Sequence, residues 1–451
     1  MRRIIISGTH SGCGKTTITC AILAALKKRG LDVTAFKCGP DYIDPMFHKK
    51  AIGVASNNLD SFFCDKNTIL ALLSQYGEKT DISIIEGVMG FYDGKCGSAY
   101  SVSEMTETPV IIVIDCKGMS ESIGAVIKGF LSFRSNNIAG FIFNRLPEKL
   151  IPLAEELCRE LGTEYYGYFP KNDLSIESRH LGLVTADEIS DIQTKIKKLG
   201  EFAEQYIHID KLFSSCNTPL PEFKPLEINC FSDAPVIAVA RDRAFCFIYQ
   251  ENIDLLEKMG CRIRYFSPLN EKTVPDADGL ILSGGYPELY AAELSANRSM
   301  LDSIYNKIKD GIPTIAECGG FMYLHRALSC KDGAVYKMAG VIDGETFPAD
   351  RLKRFGYITM TATQDSLLVS RGEKIKAHEF HYWDSSNCGN SFSAEKSDGR
   401  SWDCCHTSAT LYAGFPHIYF YSDTSIAEKF VRKCIRYGEK NGQDQQDNPN
   451  R

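Results

Sequence analysis

Two short stretches of this chain combine residue types and spacings suited to chemistry. The first, Gly8-Thr9-His10-Ser11-Gly12-Cys13-Gly14-Lys15-Thr16-Thr17, follows the apolar run Ile4-Ile5-Ile6; the second, Ile315-Ala316-Glu317-Cys318-Gly319-Gly320, follows Gly311-Ile312-Pro313. In the first, a glycine-rich turn between a strand and a helix presents backbone N–H groups to phosphates. Lys15 would neutralise the β and γ groups and the Thr16 hydroxyl would hold magnesium, with Gly12, Gly14 and Thr17 completing an ATP-binding set. In the second, small residues let a strand turn sharply into a helix and expose the Cys318 thiol at the turn. The helix N-terminus is expected to lower the thiol pKa. The thiolate would attack the side-chain amide of glutamine, giving a thioester and ammonia. Nucleotide energy and a thiol nucleophile in one chain point to glutamine-dependent amide formation.

Further candidates sit at the ends of other apolar runs. Phe36-Lys37-Cys38-Gly39-Pro40-Asp41-Tyr42-Ile43-Asp44-Pro45 and Ile84-Ile85-Glu86-Gly87-Val88-Met89-Gly90-Phe91-Tyr92-Asp93 place charged groups where ligands bind a parallel sheet. Thr16, Asp41 and Glu86 are the expected magnesium ligands. Lys37, Asp44 and Asp93 are expected to face the acceptor substrate, and Asn144 the nucleotide base. Gly284 and Gly285, in Ser283-Gly284-Gly285-Tyr286-Pro287, supply with Gly319 the backbone donors for an oxyanion. His417 is the expected base for Cys318. A class I glutaminase often continues His-x-Glu, but Tyr419 occupies that position, so a Cys–His dyad is expected rather than a full triad. His378-Glu379-Phe380-His381-Tyr382 reads as a substrate-facing or interdomain contact.

These residues need elements to hold them. Short apolar runs at Ile4–Ser7, Val33–Lys37, Ile82–Glu86, Val110–Asp115 and Phe141–Asn144 alternate with helical stretches such as Thr17–Arg29, which Gly30 closes. That pattern predicts a doubly wound parallel sheet over residues 1–207. Pro219, Pro221 and Pro225 mark a linker over 208–232. A second α/β domain follows over 233–437, with runs at Pro235–Ala240, Arg262–Phe266, Gly279–Leu282 and Thr314–Glu317, and a polar, disordered tail over 438–451. The fold class is thus α/β in two domains.

With 451 residues, 44% apolar content and a net charge of −6, the chain argues for more than one core and against a general nucleic-acid surface. No apolar run is long enough to span a bilayer. The N-terminus enters a strand by Ile4, so a cytoplasmic location is expected. Seventeen cysteines without a CxxC pair read mostly as small buried apolar groups. A homo-oligomer is left open.

The Gly8-Thr9…Gly14-Lys15-Thr16 spacing, with its leading glycine one residue early for a strict P-loop, resembles the loop of dethiobiotin synthetase and its relatives. Over nearly the whole chain, the sequence resembles the cobyrinate a,c-diamide synthase family of cobalamin-pathway amidotransferases. The resemblance rests on Lys37–Pro45, Glu86–Gly90, Gly284-Gly285-Tyr286-Pro287-Glu288, Ala316–Gly320, the stretch from Leu174 to Leu183 and the block around His417. It implies ATP, magnesium and glutamine as reactants and cofactor, a corrinoid substrate, and an acyl phosphate that ammonia displaces at the a and c carboxylates. The same family contains nickel-sirohydrochlorin a,c-diamide synthase, the alternative on this reading. A nucleotide-switched partitioning ATPase is a weaker one, because the loop lacks the additional early lysine and a switch leaves the second domain unexplained.

Overall fold

The apolar runs of the first half lie side by side as a seven-stranded sheet. The computed structural model, which describes every residue except Lys95, Ala234 and residues 172–177, 180–181, 184–191 and 448–451, orders them Ala55–Leu59, Val33–Cys38, Ile82–Glu86, Arg3–Gly8, Val110–Asp115, Ile138–Asn144 and Glu164–Phe169. Every pairing is parallel. Parallel strands are covered on both faces, so their sequences run apolar without alternation. Ala55–Leu59 escaped the sequence reading because Asn57 and Asn58 make it polar. Both are buried, and Asn58 Nδ2 donates to the carbonyls of Gly39 and Asp41 at 2.9 and 2.8 Å, tying down the loop after Lys37.

Helix Lys15–Lys28 is buried along its whole middle, from Ile18 to Leu26, rather than on one stripe. The helix Ile192–Tyr206 covers its outer side. A Cβ on Gly200 would come within 3.1 Å of the Ala24 Cβ, so the two helices touch at small residues. Gly30 caps the helix in the left-handed region, with φ 79° and its N–H on the Lys27 carbonyl.

The chain divides into two compact units, Met1–Leu226 and Glu227–Arg451. The first part of the expected linker is not extended: Ile209–Ser215 is a helix that buries Ile209 and Leu212. Beyond it, the Arg3 guanidinium donates to the Thr218 and Pro219 carbonyls at 2.7 and 2.9 Å, which fastens this stretch to the first unit.

The second unit holds a sheet ordered Arg262–Phe266, Val236–Ala240, Gly279–Leu282, Thr314–Glu317 and Leu411–Gly414, all parallel, with His406–Thr407 antiparallel at one edge. A separate sheet, absent from the sequence reading, is built on the antiparallel pair Ile342–Ala362 and Lys374–Ser385. His417–Ile418 pairs with that second strand, placing His417 opposite His378. The closing helix Thr424–Asp447 runs ten residues into the stretch expected to be a disordered tail. Glu439, Lys440 and Gln443 are good helix formers and extend a helix already nucleated by packing. Of the segment resembling a family signature, Leu174–Glu177 and His180–Leu181 lie outside the described residues. Among the described residues, no helix is long and apolar enough to cross a membrane.

Candidate functional site

The phosphate loop leaves the sheet at Gly8 and re-enters regular structure at Lys15. Gly12 and Gly14 have φ of 84° and 95°, which side chains resist, and Gly14 is the residue before the helix. A Cβ on Gly8 would lie 2.2 Å from Cys13 Sγ. The leading glycine therefore stands at position 8 because Cys13 folds back over it. Asn144, expected at the nucleotide base, braces the loop: its Nδ2 donates to the Cys13 carbonyl at 2.8 Å, and a Cβ on Gly14 would collide with it. Its neighbour Arg145 clamps Asp115, with Nε 2.8 Å from Oδ1.

Behind the loop lies a buried charge cluster. Lys37 Nζ pairs with Asp44, with Glu86 Oε1 at 2.9 Å and with Asp41 at 3.8 Å. The Thr16 hydroxyl donates to Glu86, and the Asp44 N–H donates to Asp41 Oδ1 at 3.2 Å. His48, which sequence reasoning missed, is fully buried with Nε2 3.5 Å from Glu86 Oε2. Thr16, Lys37, Asp41, Asp44 and Glu86 are thus brought together. Lys37 and Asp44, expected to face the substrate, pair with each other, because a buried cation must be matched by charge. Burial raises the Glu86 carboxyl, but Lys37, His48 and Thr16 more than offset it and hold it below the usual carboxylate range. Burial lowers Lys37, yet Asp44, Glu86 and Asp41 raise it further, so it stays an ammonium. Lys15 is lowered by burial and then by Lys37, with Glu86 acting against both. Asp93 stands apart: its Oδ2 accepts from the Gly90 N–H at 3.0 Å and fixes a loop that packs against the Thr9 carbonyl.

The oxygen donors of Thr16 and Glu86 fit magnesium, and Glu86 Oε2 is buried with no hydrogen bond. Among the described residues no group of three or more His, Cys, Asp or Glu side chains is arranged to hold a metal. A nucleotide-bound magnesium takes one or two protein ligands, so the smaller set is enough.

In the second unit the strand Thr314–Glu317 turns into the helix Gly319–Leu324 through Cys318, which has φ 46° and ψ −101°. This is a strained geometry for any residue with a side chain, and such strain gathers at functional sites. It is held by the Cys318 N–H on the Gly414 carbonyl at 2.8 Å. The glycines around it are needed for space. A Cβ on Gly320 would lie 2.1 Å from the Leu282 carbonyl oxygen, one on Gly319 2.9 Å from Gly285 N, and one on Gly284 2.5 Å from His417 Cε1. Gly284 thus lies against the His417 ring, and Gly284 and Gly285 lie against Gly319, the residue after the nucleophile.

The expected depression of the thiol pKa is not found. Burial, with Glu288 next, raises Cys318 above the ordinary thiol range, and the Gly319 backbone only partly opposes them. The helix is six residues long and the site is closed to water, so desolvation wins. Cys318 is a thiol at rest and needs a base. The carboxyl of Glu288 is itself pushed up to about 7 by burial.

The dyad expected from Tyr419 gains a carboxylate from another place. Glu317, the residue before the nucleophile, lies with Oε2 3.5 Å from His417 Nδ1, while its Oε1 accepts from the Ile418 N–H at 3.0 Å. Its position inside Ala316-Glu317-Cys318 was visible, but its partner, a hundred residues on, was not. Tyr419 is buried and packs on Tyr249 at 4.8 Å. His378, Glu379 and His381, expected to face a substrate or another domain, are buried in the second sheet. His378 is driven down to about 3 by burial and by His417, so it is neutral.

Known proteins resemble both halves of the chain. Residues 4–183 match the CobQ/CobB/MinD/ParA nucleotide binding domain, and residues 236–425 the CobB/CobQ-like glutamine amidotransferase domain. A cobyrinate a,c-diamide synthase of Listeria monocytogenes is 40% identical, over 94% of this chain and 98% of its own. Another from Caldanaerobacter subterraneus is 37% identical over 97% and 100%, and one from Thermoplasma volcanium 38% over 97% and 98%. The chain belongs to the cobyrinate a,c-diamide synthase family of glutamine-dependent amidotransferases.

Proposed function

We propose that the chain converts the a and c carboxylates of cobyrinate to amides, using ATP for activation and glutamine as nitrogen donor. The observation that carries this reading is the joint presence of a phosphate loop backed by a charge cluster and a strained cysteine elbow in the unit that also holds His417 against Gly284. In the second unit His417 takes the Cys318 proton as the sulfur attacks the glutamine amide carbon. Backbone N–H groups of Gly285 and Gly319 receive the oxyanion, and His417 returns the proton to the leaving nitrogen. Ammonia departs, and water then cleaves the thioester to glutamate. Glu317 holds the imidazole in the orientation this exchange requires.

In the first unit Lys15 and the loop N–H groups hold ATP while a substrate carboxylate oxygen takes the γ-phosphoryl group, releasing ADP. Ammonia attacks the acyl phosphate and phosphate leaves. Magnesium, which Thr16 and Glu86 would hold, supplies charge neutralisation on the phosphates. Lys37 fixes the carboxylates behind the loop. Positioning and charge neutralisation carry most of such a transfer.

Incubating the protein with cobyrinate, ATP, magnesium and glutamine tests this reading. The expected result is a diamide detected by mass spectrometry, with ADP and glutamate formed alongside. ATP turnover without any amide on cobyrinate would overturn the substrate assignment.

A further inference from the structure

An aromatic surface beside the phosphate loop is left unexplained by the reaction just described. The loop over residues 87–94 is fastened to the phosphate loop: the Phe91 N–H donates to the Gly8 carbonyl at 2.8 Å. A Cβ on Gly90 would lie 2.8 Å from the Thr9 carbonyl oxygen, so the two loops are in contact. Met89, in the same loop, has φ 49° and is 38% exposed. A side chain resists that left-handed conformation, and such strain gathers at functional sites. Tyr92 joins the loop to a neighbouring helix, its hydroxyl donating to the Phe130 carbonyl at 2.8 Å. Its ring lies 5.4 Å from Tyr100, 5.5 Å from Phe130 and 5.2 Å from Phe133.

Nothing in the first unit covers this cluster. Phe133 is 63% exposed although it packs on Tyr92. The helix Ser122–Ser132, which carries Phe130, is mostly apolar, yet of its residues only Ile123 and Ile127 are buried. A helix so apolar is normally covered, and a contiguous exposed apolar surface marks a binding site. The surface also carries a cation. The Arg134 guanidinium lies over Tyr100 and Phe133, 5.5 and 5.1 Å from their ring centroids, and forms no ion pair among the described residues.

We propose that Met89, Tyr92, Phe130, Phe133 and Arg134 form the platform on which the corrinoid ring rests while its carboxylate takes the phosphoryl group. Position supports this occupant. The a and c carboxylates end short arms, so the ring must lie at the rim of the phosphate loop for either to reach the γ-phosphoryl group, and the loop over residues 87–94 is part of that rim. Chemistry supports it as well. A corrinoid has broad apolar faces and a periphery of carboxylates; the aromatic rings cover the first and the unpaired guanidinium receives the second. Glu104 acts on Tyr92 alongside Arg134, so the surface is of mixed charge and selects an apolar body with acidic arms over a bare polyanion.

The inference rests on the proposed reaction, and the test separates the two. Phe133→Ala and Arg134→Gln change exposed side chains and leave the core in place. For each, cobyrinate and ATP are varied with ammonium chloride as nitrogen source, which keeps the thiol site out of the assay. Expected is a rise of about tenfold in KM for cobyrinate in Phe133→Ala and of several-fold in Arg134→Gln, with kcat and the KM for ATP unchanged. Cobyrinate binding without ATP, read by titration calorimetry, should weaken in step. An unchanged cobyrinate KM and affinity in both variants overturns the platform and leaves the reaction standing. If Phe133→Ala in that case also turned a parental dimer into a monomer, by light scattering, the surface would belong to a second copy of the chain. A parent that neither binds nor amidates cobyrinate would bring down the substrate reading and this inference with it.

Discussion

The two sites solve opposite problems with opposite means. The phosphate site meets a highly charged ligand with a charge-dense wall, in which Lys37 holds Asp44, Glu86 and Asp41 together and Thr16 and His48 lean on the same glutamate. The thiol site meets a neutral amide with strained backbone, close-packed glycines and a cysteine kept protonated by burial. Lys15, backed by that charge-dense wall, neutralises charge that is present throughout phosphoryl transfer. A thiolate, by contrast, is needed only when glutamine is in place. A thiol that ionises on demand also avoids idle chemistry.

That contrast can be broken at each side. The largest effect is expected from Lys15→Ala: amidation with either nitrogen source should fall about 10³-fold, as when a phosphate-stabilising donor is lost. Glutamine hydrolysis by the second unit should survive, and steady-state assays with both nitrogen sources check it. Lys37→Met leaves buried carboxylates without their cation and should cost about 3–5 kcal/mol of stability, read as a lowered denaturation midpoint of the first unit. If Lys37 only contacted substrate, that midpoint would stay put while KM rose.

On the thiol side, Glu317→Gln, which loosens the hold on the His417 base, should lower kcat for glutamine hydrolysis by up to about 10²-fold and leave ammonium-supported amidation alone. A rise in KM without a change in kcat would show that Glu317 binds substrate instead. The smallest effect is a pH shift. Glu288, pushed up to about 7, is neutral below that pH and ionised above it, and its charge raises the Cys318 thiol. Glu288→Gln removes that charge, so the rising limb of the glutaminase pH profile should move to lower pH. A profile that does not move would remove Glu288 from the electrostatics of the thiol.

Sequence alone exposed those parts of each site in which backbone geometry dictates residue type. Gly12, Gly14 and Lys15 sit at offsets fixed by a strand-loop-helix turn, and Cys318, Gly319 and Gly320 at offsets fixed by an elbow. Strand ends at Lys37 and Glu86 were legible for the same reason. What escaped depends on contacts between distant segments. His48 reaches Glu86 from a helical segment, Glu317 reaches His417 across a hundred residues, and the second sheet joins strands whose alternation is broken by register shifts between Pro348 and Gly356. The raised thiol pKa was misread because a helix N-terminus is visible in sequence and desolvation is not.

The central claim, that two separable sites act on one amide bond, is tested most directly by Cys318→Ala assayed with cobyrinate and ATP, once with glutamine and once with ammonium chloride. The account predicts no amide from glutamine and a parental rate from ammonium. Full glutamine-dependent amidation by the variant would contradict it.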